Sequence, residues 1–366
     1  MAVSPDDAEH LAAPVTAEFA AAERTILQLL RDLLTPGISR SGWAQARLAA
    51  SGLLRRGLQR LIPGLRERAA AAAAAAVTQA VQVGDQAARH ELERHQLPPG
   101  PDDLDITPAQ RLTRALTRDF EPVYARILRQ PQDVYRDVIA RVSAEVLEGR
   151  VTRLRAAQMA LDEFANRGVA GFVDSRGRGW ELTSYIEMAV RSTCGRAAVQ
   201  AHVDRLSAAG HRFVFASAPG GSCPLCAPWE GKILELSGPA GERTVEVPHT
   251  VTGRPVQVRV DGSLMEARAA GFQHANCRHS VSLFLPGVTS LPTAPPDAHS
   301  YESTQHQRYL ERQVRRWKRR EAAALDDAAA AAARQRIRAY QAQLRELVRE
   351  TGQRRKPGRE QIGIAH

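Results

Sequence analysis

Two short segments concentrate the chemistry-bearing side chains of this sequence: Cys223-Pro224-Leu225-Cys226 and His274-Ala275-Asn276-Cys277-Arg278-His279. Two thiolates spaced this way can grip one face of a tetrahedral ion, because the turn between them aims both sulfurs at one point. The second segment offers three donors for the two remaining positions. Cys277 and His279 are the first pairing, with His274 as substitute or outer partner. The chemistry this predicts is a closed, structural Zn2+ site. A spacer of 47 residues separates Cys226 from His274, and hairpins expected inside it would return the chain to the site. The plainer alternative is buried cysteines acting as small hydrophobes beside ordinary histidines, the reading that suits the isolated Cys194. A catalytic zinc would keep an open position and a carboxylate base. Glu230 and Glu266 are candidates, but neither stands in a His-Glu-x-x-His arrangement.

A second polar group comprises Arg176, Arg178, Trp180, Tyr185, Glu187 and Arg191. Arginine with Glu and Tyr could hold a phosphate-bearing ligand. No nucleophile-base pair or phosphate-cradling glycine loop accompanies them, so the stronger reading is structural: a turn over 174–179, a capping box from Ser184 to Glu187, and a helix ion pair from Glu187 to Arg191. An enzyme, such as a nucleotide-binding transferase or zinc-dependent hydrolase using Arg178, Tyr185, Glu187 and Arg191 or the Cys/His site, is the alternative function. No catalytic residue is assigned.

The third feature is charge. The chain has a net charge of +10, and residues 301–366 hold sixteen Lys and Arg against eight Asp and Glu, so nearly all of that excess sits in the tail. Arg308, Arg312, Arg315, Arg316 and Arg319 fall on one helical face, and Lys318 and Arg320 thicken the run around Trp317. A second basic cluster follows at Arg354, Arg355, Lys356 and Arg359. Arginine forks bind phosphate oxygens without reading bases, so contact with double-stranded DNA is expected; an acidic protein surface is the alternative partner.

The elements that must position these groups are mainly helical. Alanine and arginine dominate while aromatics make up 5%, a balance that favours long helices over sandwiches or barrels. Phe19, Ile26, Leu30 and Leu33 line one face of a helix with Thr16 as its expected cap, ending at Pro36-Gly37. The run Ala69 to Ala76 implies either close helix approach or an exposed helix with little packing. Valines at 134, 138, 142 and 146 continue a later helix, and Thr152 can cap the next. Short β-branched runs at 213–215, 232–236, 244–247 and 256–260, separated by Gly, Pro and Asp, predict a small β-rich insert. The fold class expected is therefore α+β: mainly α with a small β-rich zinc-knot insert and a long C-terminal helix. The divisions expected are a helical region at 1–97, a linker at 98–106, a central helical domain at 107–212, a Cys/His module at 213–287, an extended connector at 288–300 and a basic tail at 301–366. Asp6, Asp7 and Glu9 do not suit a secretory signal, and no stretch is apolar enough to span a bilayer.

The blocks carrying this chemistry also carry a resemblance. Gly168-Val169-Ala170-Gly171-Phe172-Val173-Asp174 leads to Gly177-Arg178-Gly179-Trp180 and Ser184-Tyr185-Ile186-Glu187-Met188-Ala189-Val190-Arg191. Then come Cys223 to Lys232 with Pro228-Trp229-Glu230-Gly231-Lys232, Asn276-Cys277-Arg278-His279-Ser280 before Leu285-Pro286-Gly287, and Gln307-Arg308-Tyr309-Leu310-Glu311-Arg312. In this order, over 138–320, the chain resembles the phage minor capsid protein 2 family and, more distantly, portal-associated minor head proteins. His274-Ala275 stands where related proteins often have His-Pro, and His279 where the wider group often has a second Cys. The resemblance implies a structural virion protein assembled in the host cytoplasm. It would act at the capsid interior or portal vertex with portal and major capsid proteins, and with packaged DNA close to its tail.

Overall fold

The computed structural model describes residues 5–101, 103, 105–147, 152–167, 172–173, 179–219, 221–275, 277–291 and 300–362. The helical and strand elements run α1 (Pro5–Leu34), α2 (Trp43–Ala49), α3 (Ser51–Arg94), α4 (Thr107–Leu147), α5 (Arg153–Arg167), β1 (Phe172–Val173), β2 (Gly179–Trp180) and α6 (Leu182–Ala208). The insert then supplies β3 (Phe213–Ala216), β4 (Ile233–Glu235), β5 (Arg243–Pro248), β6 (Pro255–Val260), β7 (Gly262–Ser263), α7 (Leu264–Ala269) and β8 (Val281–Leu283). The C-terminal region is α8 (Tyr301–Ala322) and α9 (Asp327–Thr351). The expected class holds: helices dominate, the four-stranded sheet and the β5–β6 hairpin sit in the insert while β1 and β2 pair ahead of it, and a long C-terminal helix is present.

Local chemistry sets several boundaries. Thr152 caps α5, accepting from the Arg155 N–H at 3.2 Å, and Asp326 caps α9, accepting from the Ala329 N–H at 2.7 Å. Two sequence expectations fail here. The first helix begins at Pro5, so Thr16 lies inside it. The helix α6 begins at Leu182, so Ser184 and Glu187 are interior positions and form no capping box; the Ser184 hydroxyl instead accepts from Arg315 at 2.8 Å. A helix period cannot tell a start from a continuation when the preceding residues are equally good helix formers.

Contacts group the chain into two compact units. One comprises Met1–Pro14, Ala73–Leu116 and Glu187–Thr304, the other Val15–Ala72, Thr117–Ile186 and Gln305–His366. In the second, Phe19 meets Phe120 edge-on at 5.2 Å and stacks on Tyr124 at 5.8 Å. Ile26, Leu27, Leu30, Leu54, Leu58 and Leu65 are buried in the same unit. The Trp43 indole and the Arg47 guanidinium donate to the Leu34 and Leu33 carbonyls at 2.9 and 2.8 Å, satisfying the free C-terminal carbonyls of α1.

The first unit carries the insert. Its main sheet runs β7-β4-β3-β8, with β3 antiparallel to both β4 and β8 and β4 parallel to β7. Strands β5 and β6 form a separate antiparallel hairpin. Phe213, Ile233, Val247, Val258, Val260 and Phe284 make a small common core. The Glu91 carboxylate of α3 accepts from the Leu283 N–H at 3.0 Å and faces the His202 Nε2 of α6 at 3.0 Å, fastening the sheet to two helices. The alanine run resolves in favour of packing: Ala69, Ala73, Ala76, Val77 and Ala80 are all buried. Farther along α3, Gly84 lets the backbone of α6 come so close that a Cβ would overlap the Ala198 carbonyl.

That approach is testable. Gly84→Ala should destabilise the protein by about 2 kcal/mol or more, because the obstructing atom is backbone and cannot rotate away. Gly64→Ala in the same helix meets only the flexible Arg68 guanidinium and should be neutral or stabilising by up to about 1 kcal/mol. Urea midpoints of the two variants check this, and equal effects would refute the close approach.

Candidate metal centre

Antiparallel pairing brings the two ligand segments together. Ala216 at the end of β3 pairs with Val281 at the start of β8. Beyond them the Ser217 N–H donates to the Ser280 carbonyl at 3.0 Å and the Ser280 N–H to the Ser217 hydroxyl at 2.9 Å. The segment leaving β3 and the segment entering β8 therefore emerge at the same sheet edge. The first turns at once, with the Cys226 and Ala227 N–H groups donating to the Cys223 carbonyl before a 3-10 turn at Ala227–Trp229. The second folds back through a Cys277 N–H bond to the His274 carbonyl at 2.9 Å.

All five donors expected from the sequence meet there. Cys223, Cys226 and His274 place one ligand atom each within 4.8 Å of the others, and so do Cys226, Cys277 and His279. Cys226 belongs to both groups. The Cys223 sulfur is 2.9 Å from His274 Nε2, the Cys226 sulfur 3.4 Å from that of Cys277, and the Cys277 sulfur 3.3 Å from His279 Nδ1. A tetrahedral zinc with ordinary bond lengths needs ligand-to-ligand edges of roughly 3.5–3.8 Å, so these donors lie slightly inside the cage that they would form. Both imidazoles turn one nitrogen towards sulfur and have the other engaged, His274 Nδ1 by the Ala275 carbonyl and His279 Nε2 by Glu230 at 2.7 Å. That is how metal-ligating histidines are oriented. Cys194 is buried in α6 apart from both groups.

The electrostatics distribute the protons. The Cys226 thiol is pushed up to about 12, first by its hydrogen bond to Cys277 and then by burial, against the pull of His279. Cys277 is lowered by the same bond from Cys226, helped by the His279 and Gln273 backbone and opposed by burial. Burial works against a charged His279, but its bonds to Cys226 and Glu230 outweigh burial and raise its pKa. Of the carboxylates weighed as a base, Glu230 sits on His279 and accepts from the Ser222 hydroxyl. Glu266 is occupied by the capping box of α7, where its own N–H donates to Ser263 Oγ at 3.1 Å. The sequence did not single out Ser222; its place one residue before Cys223 was the only signal.

The basic residues of α8 are placed differently from the expected outward stripe. Arg319 is fully buried, donating to the Ala165 carbonyl at 2.9 Å and Glu181 at 2.8 Å, with Glu23 at 4.0 Å. Arg315, also buried, donates to Ser184 and the Arg359 carbonyl. Arg316 donates to Asn166 at 2.7 Å, Lys318 to Gln361, and Arg320 lies 4.4 Å from the Trp317 ring centre and 3.9 Å from Asp162. Arg308 and Arg312 are half-buried. The shared face was legible, but its direction was not, because the acceptors that draw it inward, from Asn166 and Glu181 to Ser184, come from distant segments. In the other polar group, Tyr185, Glu187 and Arg191 lie on α6. Arg176 and Arg178, with 168–171 and 174–178 generally, lie outside the described residues, as do Asn276 and 292–299 of the expected connector.

The profile of the family described as phage minor capsid protein 2 matches residues 3–349. The chain belongs to this family. Membership supports a structural role in the virion. Among curated relatives, a "Structural protein" of Lactococcus phage LL-H is 27% identical over 229 residues, covering 59% of this chain and 58% of the relative. The chain thus matches little more than half the length of that relative. No solved structure matches significantly. Among the described residues, no helix of this minor capsid family member is long and apolar enough to cross a membrane.

The proton arrangement predicts an order of thiol reactivity. In chelator-treated protein at neutral pH, Cys277 should be alkylated before Cys226, and Cys194, pushed up to about 12 by burial, should react last. Peptide mass spectrometry over a time course reads the order, and Cys226 reacting first would contradict the assignment.

Proposed function

We propose that this protein is a minor component of the phage head that acts near the portal vertex during assembly, in contact with portal and major capsid proteins. The match to the phage minor capsid family across residues 3–349 carries this reading. It is a structural rather than catalytic role. Within it, one Zn2+ per chain closes the β-rich insert, held by Cys223, Cys226 and Cys277 with His279 as fourth ligand and His274 as its competitor. The convergence of these donors and the held far nitrogens of both histidines support the assignment. Thiolate and imidazole ligands suit zinc, and closure would stabilise an insert whose core is only a few side chains.

Elemental analysis of purified protein should find one zinc per chain. Cys226→Ser and Cys277→Ser should each lower the metal content and expose residues 220–285 to protease, while Cys194→Ser should do neither. His279→Ala against His274→Ala identifies the fourth ligand. Lowering the pH should release the metal, because protons compete for the thiolates and imidazoles. Metal-free protein of unchanged stability would eliminate the site.

Contact with packaged DNA belongs to the same reading, but its support moves from α8 to α9. Arg334, Arg338, Arg345 and Arg349 are exposed at spacings that put them on one face of α9, beside the stripe that Ala333, Ile337 and Leu344 bury. Reversing Arg338 and Arg345 to Glu should weaken binding to duplex DNA of arbitrary sequence and reduce the salt slope by about 1–2. A virion proteome lacking the protein would refute the head reading itself, whereas unchanged DNA affinity would refute only this contact.

A further inference from the structure

Next to the Cys/His cluster, in the same unit, lies a cavity of about 330 Å3. Arg191, Arg196, Arg268 and Arg278 all line it, and among the described residues no Asp or Glu does. The like charges of Arg196 and Arg268 on this one small space are relieved by an anion standing between them.

Two of the polar groups show how the wall is built. The Arg268 guanidinium is held by neutral acceptors, donating to Gln273 Oε1 and to Gln200 Oε1, each at 2.9 Å. These bonds aim the fork without cancelling its charge. Burial and the like charge of Arg196 lower the pKa of Arg268, and Asp204 only partly offsets them. Gln273, having given its carbonyl oxygen to Arg268, leaves its Nε2 buried with no hydrogen-bond partner. A buried amide donor left so costs roughly 1–3 kcal/mol. Gln273 also holds a left-handed backbone, with φ of 58°, uncommon for a residue with a side chain. Val199 and Phe272 give the same cavity an apolar wall.

Arginine forks, an unused amide donor and an apolar wall fit a ligand with a dianionic head and an organic body. We propose that this cavity binds a phosphorylated small molecule of nucleotide size, with Arg196, Arg268 and Gln273 Nε2 taking the phosphate. The volume falls at the small end of ligand pockets, which span about 300–1,000 Å3. The site uses the guanidinium and amide groups beside the metal cluster and none of its sulfur atoms. It does not depend on the head-assembly reading and involves no turnover.

Isothermal titration calorimetry on the full chain tests it with inorganic phosphate, pyrophosphate, AMP, ATP, adenosine and a 5′-phosphorylated duplex. Saturable one-to-one binding of the nucleotides is expected, with none for adenosine. Arg196 is exposed, so Arg196→Ala should leave the melting temperature unchanged while weakening nucleotide binding at least about tenfold. Because that variant keeps the whole Cys/His cluster, it also separates this site from chelation of metal by nucleotide. Arg268→Lys, which retains charge but loses the fork, should weaken binding less than Arg268→Gln; should the latter fail to fold, Arg196→Ala decides. The proposal is overturned by no saturable nucleotide binding, by adenosine binding as well as AMP, by Arg196→Ala without effect, or by binding of the duplex alone.

Discussion

The Glu91 carboxylate is the contact on which the arrangement of the first unit depends. It stands in α3, accepts from the Leu283 N–H of β8 and faces His202 of α6, so one side chain joins a sheet edge to two helices. Burial alone would favour its neutral form. The hydrogen bond and charge of His202, with the Leu283 N–H, outweigh burial and hold its pKa below the usual carboxylate range. The ionised form is therefore the one the fold uses. With β8 fixed, β3 is fixed by register, and the two cysteine-bearing segments have only one edge at which to meet. The convergence of the Cys/His donors is a consequence of sheet pairing more than of the loops themselves.

The second unit rests on a different kind of buried charge. Arg319 lies at its centre with Glu181, Glu23 and the Ala165 carbonyl around it. Such a group is expensive to desolvate, and removing one partner of a buried pair costs roughly 3–5 kcal/mol. Its value lies in specificity: a guanidinium that must find two carboxylates and a carbonyl fixes how α8 seats against residues from α1 and α5. The helix that carries the densest positive charge is therefore partly an internal element, and the solvent-facing charge of the tail falls to α9.

Within the cluster, Cys226 is shared by both donor groups. Its sulfur faces that of Cys277, while Glu230 and Ser222 hold the far side of His279. An arrangement in which each imidazole has one nitrogen engaged outside and one turned to sulfur leaves few orientations for either ring. The arginine-lined cavity shares a wall with this cluster, through residues 272–274 and 277–280.

Sequence alone determined the helical class, the insert and the candidate Cys/His donors. Alanine-rich periodicity, β-branched runs between Gly and Pro, and the Cys-x-x-Cys spacing are local signals, set by backbone propensity and by the reach of neighbouring side chains. The family blocks were legible for the same reason. Tertiary structure decided what depends on partners far away in the chain. It turned Arg315 inward towards the Ser184 hydroxyl and the Arg359 carbonyl, and Arg319 towards the Ala165 carbonyl and Glu181, partners 44 to 154 residues away. It assigned Glu230 to His279, 49 residues on, kept Thr16 and Ser184 inside helices, and made Gly84 a contact point through Ala198. A pattern of residue types fixes which face a side chain shares with its neighbours. Only packing fixes whether that face meets water or a buried countercharge, because the free energy of a charge depends on its surroundings and not on its own helix.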